Sequence, residues 1–88
     1  MDFLHAQLHL KTGDVVEVHC DRPCTILLMD DAAFAGYTHG QPGRHHGGHC
    51  DELPARFTAP ADGVWHVVID AGQFNSALTH SINIYPVN

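Results

Sequence analysis

The sequence predicts an all-β fold: a compact antiparallel β-sandwich or flattened barrel of six to eight short strands with one short helical turn. Three observations carry that expectation. Apolar and polar residues alternate along short runs, which is the period of a strand with one face buried. Gly, Pro, Asp and Asn separate those runs at hairpin spacing. One segment alone, Ala32 to Tyr37, has helical composition.

In the first run Leu4, Ala6, Leu8 and Leu10 alternate with His5, Gln7 and His9, giving strand one. Lys11-Thr12-Gly13-Asp14 turns the chain. Val16, Val18 and Cys20 then oppose Glu17 and His19 in strand two. Asp21-Arg22-Pro23 is short, and Pro23 fixes its own φ while biasing Arg22 to an extended backbone, so a tight hairpin into Thr25-Ile26-Leu27-Leu28-Met29 is expected. That run is apolar on both faces, the mark of a central strand.

Asp30-Asp31 precedes Ala32-Ala33-Phe34-Ala35-Gly36-Tyr37. An aspartate can cap the free amides, the alanines favour helix and Gly36 ends it, so one or two helical turns are predicted. Gly40 to Cys50 follows, a glycine- and histidine-dense stretch whose glycines and Pro42 forbid a regular helix. It reads as a loop, within which a short strand from Arg44 to Cys50 can form.

Leu53, Ala55, Phe57 and Ala59 alternate with Pro54, Arg56 and Thr58, and Pro54 assigns this strand to an edge or a bulge. Ala59-Pro60-Ala61-Asp62-Gly63 is a turn that delivers the strongest strand, Val64-Trp65-His66-Val67-Val68-Ile69-Asp70. After the loop at 71–75, Leu78, His80, Ile82 and Ile84 supply a last inward face until Pro86. Residues 1–88 are thus read as one β-sandwich domain, with no repeat and no linker.

The hydrophobic fraction is 44% and the charged fraction 16%, the balance of an ordered globular chain. Ten acidic residues against four basic ones give a net charge of -6, which argues against nucleic acid and against an anionic membrane as partners. No basic-then-apolar signal peptide opens the sequence and no apolar run reaches transmembrane length, so a cytoplasmic protein is expected. Three cysteines cannot all pair within one chain, in keeping with a reducing compartment.

Candidate chemistry concentrates in Gly40 to Cys50. His45, His49 and Cys50, with Cys20 and Cys24 across a short turn, are enough donors for a zinc site or a metal-dependent hydrolase. The spacing argues the other way: the two-residue cysteine knuckle is missing, and His45 and His49 meet one metal only on a helical turn, which Gly47 and Gly48 oppose. A polar loop whose histidines face solvent is the favoured reading, and no cofactor is expected. Cys20 and Cys24 could pair across the expected hairpin, but two reduced thiols are favoured.

His66 and Asp70 share a strand face and could hydrogen-bond, and His80 lies on an apolar face, yet core histidines with satisfied partners are commoner than catalysts. Trp65 reads as a packing anchor rather than a sugar platform. Neither a phosphate-cradling glycine loop nor a nucleophile elbow occurs. The function expected is therefore a non-catalytic module that binds a protein or small ligand through the His/Gly-rich loop, with Tyr37, Arg44, His45, His46 and His49 as contacts. Pairing of open edges into a homodimer is compatible with so few charges.

Gly13-Asp14-Val15-Val16, Cys20-Asp21 followed by Cys24, Leu28-Met29-Asp30-Asp31 with Phe34 and Tyr37, His46-Gly47-Gly48-His49, and Pro60 to Asp70 together resemble a small bacterial family, the domain of unknown function number eighteen-eighty-three. The resemblance covers nearly the whole chain. It implies a compact β-sandwich, usually a stand-alone protein and sometimes a module joined to a signalling domain of the Toll/interleukin-receptor type, and it supplies no catalytic residue. Pro60 to Tyr85 is also loosely similar to sandwich domains appended to secreted bacterial peptidases, a similarity of architecture alone.

Overall fold

A computed structural model describes residues 3–40, 45–72 and 78–87. Among them the elements run β1 (Leu4–Leu10), β2 (Val15–Cys20), β3 (Cys24–Asp30), α1 (Asp31–Thr38), β4 (His46–Cys50), β5 (Ala55–Thr58), β6 (Gly63–Asp70) and β7 (His80–Tyr85). The strands form two antiparallel sheets, one ordered β1-β6-β3-β4 and the other β5-β2-β7. The all-β sandwich expected from the alternation is the fold observed.

The core between the sheets is made of the predicted inward stripes. Leu10 of β1, Val16 and Val18 of β2, Cys24, Ile26 and Leu28 of β3, and Trp65, Val67 and Ile69 of β6 are buried together with Ala59. Withdrawing an Ile or Leu of this kind from water stabilises the fold by about 1.5–3 kcal/mol per side chain. Trp65 is the anchor expected of it, and its indole N–H donates to the Ala61 carbonyl at 3.0 Å.

β3 and β6 are apolar on both faces because a second layer covers the outer one. Leu27, Met29 and Val68 are buried beneath Phe3, Ala33, Phe34 and Tyr37, so α1 lies over the four-stranded sheet. The helix starts where the sequence places a cap: the Asp30 carboxylate accepts from the Ala33 amide at 2.7 Å.

Two expectations need correcting. Asp21-Arg22-Pro23 makes no hairpin, since β2 and β3 belong to different sheets and the connection carries the chain across the sandwich. Turn composition marks where a chain bends and not which sheet it re-enters. The short strand that the sequence allows between Arg44 and Cys50 forms as His46–Cys50. The expected inward face of the last strand is the other: β7 is a poorly covered edge on which Ile84 and Tyr85 are exposed, since among the described residues no further strand flanks it in the three-stranded sheet. β5 is the other edge of that sheet, as Pro54 implies.

Among the described residues, no helix is long and apolar enough to cross a membrane.

Candidate functional site

Among the described residues β4 borders the four-stranded sheet and pairs with β3 alone, Cys50 opposite Cys24, His49 opposite Thr25 and His46 opposite Leu28. Its centre requires glycine. Gly47 has φ +101°, and a Cβ there would run into the Ile26 carbonyl oxygen and approach the Phe57 ring to 2.8 Å. The strand therefore lies tightly against β3 and β5 while carrying two residues without side chains.

His45 and His46 are exposed at the start of this strand, and the His46 ring lies 6.2 Å from that of Trp65. His49 is exposed and Nε2 is 2.8 Å from the Asp51 carboxylate. Cys50 is half-buried against the core and its thiol donates to the Gly48 carbonyl. Tyr37 is set apart from them: it belongs to α1, where its ring meets Phe3 edge-on at 5.3 Å. Burial pushes the Tyr37 hydroxyl up, and the negative charge of Asp70 adds to the shift. Arg44 lies outside the described residues. Among the described residues no group of three or more His, Cys, Asp or Glu side chains is placed to hold a metal ion.

A polar arrangement with a buried histidine lies elsewhere, beneath α1. His66, on the outer face of β6, is 3% exposed. Its Nδ1 is 2.7 Å from His5 Nε2 on β1, and its Nε2 is 2.8 Å from Asp31 Oδ1 at the start of the helix. Phe34 stacks on both imidazoles, with centroids 4.1 Å from His5 and 4.3 Å from His66. With both rings neutral the tautomers follow from the carboxylate, which only accepts. His66 then donates from Nε2, its Nδ1 accepts from His5 Nε2–H, and His5 Nδ1 is left as a lone-pair acceptor on an exposed side chain. Burial, with the neighbouring His66 as a second cause, holds His5 below the ordinary histidine range and so favours the neutral form.

The anticipated His66–Asp70 bond does not form. Positions 66 and 70 are four residues apart on one strand, about 13 Å, which is beyond hydrogen-bond reach. Asp70 accepts from the Gly72 amide at 2.8 Å, and the helix brings Asp31 over His66 from a different part of the chain. His80 is exposed at the start of β7. His5 and Asp31 escaped the sequence reading: an outward histidine on an edge strand and an aspartate at a helix start are ordinary surface features, and only the tertiary packing of α1 joins them to position 66.

A second polar cluster sits on the outer face of the three-stranded sheet. Glu17 is 6% exposed and accepts from Arg56 Nε at 2.7 Å and from the Tyr85 hydroxyl at 3.2 Å, with His19 Nε2 at 2.6 Å. The His19 hydrogen bond, then those of Arg56 and Tyr85, hold its carboxyl below the ordinary range against an opposing effect of desolvation. The alternation places Glu17 outward correctly but gives no sign that neighbouring side chains cover it.

A family model described as Domain of unknown function (DUF1883) matches residues 1–87. No curated protein and no solved structure matches the chain.

Proposed function

Given that the chain belongs to the DUF1883 family of unknown function, we propose that it is a non-catalytic binding module that takes up an extended segment of a partner protein by strand addition at the free edge of β4. The observation that carries this reading is that, among the described residues, β4 pairs with β3 alone, and that it has glycine at positions 47 and 48. Its outward backbone groups are thereby left without side-chain cover. Lys, Glu and Pro, the residues that commonly block such an edge, do not occur in His46–Cys50. His45, His46 and His49 flank the edge as hydrogen-bonding contacts, and a net charge of -6 favours a neutral or basic segment over an acidic one.

The test is selection of short peptides from a displayed random library against the folded protein, followed by amide-shift mapping. Perturbations centred on Gly47 to Cys50, with binding weakened about tenfold or more by His49→Lys, support the reading. Selected peptides that perturb other strands and leave β4 unchanged overturn it. A concentration-dependent dimer abolished by His49→Lys, with no peptide selected, would replace the partner by a second copy of the chain.

A further inference from the structure

Three thiols gather where the chain passes from one sheet to the other. Cys20 closes β2, Cys24 opens β3, and their sulfur atoms are 3.4 Å apart. Cys24 is 2% exposed and Cys20 is half-buried. Cys50 stands opposite Cys24 in the β3–β4 register, but its thiol is directed to the Gly48 carbonyl at 3.4 Å. The crossover at 21–23 thus ends in two free thiols in contact, one of them open to solvent.

We propose that Cys20 and Cys24 are a redox-active dithiol, a modification site that small-molecule disulfides convert to an intramolecular disulfide. Sulfur atoms at van der Waals separation need to close by little more than 1 Å, roughly, to reach bonding distance, which side-chain rotation can supply. The order of events follows from exposure. Cys20 gives its proton to solvent and its thiolate attacks one sulfur of the small disulfide. That S–S bond breaks, and one small thiolate leaves and takes up a proton. Cys24 then loses its proton and attacks the Cys20 sulfur of the mixed disulfide, expelling the second small thiol. The protein gives up two electrons and two protons, and the small disulfide is reduced to two thiols.

Burial raises both thiols, Cys24 to about 12, so little thiolate is present at neutral pH and the pair reacts slowly there and faster as the solution becomes alkaline. The bond formed would tie the two sheets together at their crossover.

The experiment treats the reduced, folded chain with oxidised glutathione in mildly alkaline buffer and reads intact mass and cross-linked peptides. The expected product has lost two hydrogens, carries no adduct and is linked between Cys20 and Cys24. Cys24→Ser should stop at a glutathione adduct on Cys20, and Cys50→Ser should behave as the unaltered chain. A folded chain that stays reduced, that ends as a stable glutathione adduct, or that links Cys50 to either neighbour overturns the proposal.

Discussion

His66 Nδ1 lies 2.7 Å from His5 Nε2, a hydrogen bond between a buried ring and an exposed one that joins β6 to its neighbour β1. His66 is the interior member, held also by Asp31 and covered by Phe34. Replacing it by alanine removes a buried ring and leaves its partners unpaired. His66→Ala should lower the free energy of unfolding by roughly 2–4 kcal/mol, whereas His5→Ala, at the solvent side, should cost less than about 1 kcal/mol. Urea denaturation followed by Trp65 fluorescence measures both.

The same pair gives stability a pH dependence of definite sign. Folding holds His5 below its ordinary value of 6.5, so the unfolded chain accepts a proton that the folded chain resists. Stability from this group is complete above about pH 6.5 and falls as the pH drops through that value toward the folded-state one. The loss levels off once both states are protonated. His5→Gln should flatten this part of the profile when urea midpoints are compared between neutral and mildly acidic buffers.

Glu17 acts at a lower pH. Its carboxyl is held below the ordinary 4.5 by His19 first and by Arg56 and Tyr85 after it. The stability it contributes is present above pH 4.5 and is lost as the pH falls toward its folded-state value. Glu17→Gln should lower the urea midpoint at neutral pH and make acid unfolding less steep in that window, leaving the slope of stability against pH above it unchanged.

Gly47 tests the packing of β4. An alanine there meets the Ile26 carbonyl oxygen and the Phe57 ring in a backbone conformation that L side chains rarely adopt. Gly47→Ala should cost about 2 kcal/mol or more and should release the β4 amides to hydrogen exchange before those of β6. A Cβ at Gly48 meets nothing within 4 Å, so Gly48→Ala should cost less.

The strands were legible because alternation reports directly on burial. Leu4 to Leu10 and Val15 to Cys20 needed only a period of two, Val64 to Asp70 stood out as a largely apolar run, and the apolar run at Thr25 to Met29 announced a strand covered on both sides. What escaped depended on partners remote in sequence. Pro23 bends the chain equally well for a hairpin or a crossover. Asp31 reaches His66 because α1 folds back over the sheet, whereas Asp70, four residues along the same strand, is too distant. The histidines at 45, 46 and 49 are conspicuous in sequence, but glycine fixes the path of β4, and the more elaborate histidine arrangement lies beneath α1.

The pairing pattern also governs how the molecule can be made. Leu4 pairs with Ile69 and Val15 with Tyr85, so β1 finds its partner in β6, and β2, though it also pairs with β5, gains its second neighbour only in β7. Apart from the β3–β4 and β2–β5 contacts, neither sheet can be completed until β6 and β7 have been synthesised. Such non-local topologies fold on the millisecond-to-second scale, roughly, rather than in microseconds. A nascent chain ending before residue 80 would present the apolar stripe of β2 with one side unpaired, and its acquisition of protease resistance should coincide with emergence of the final strand.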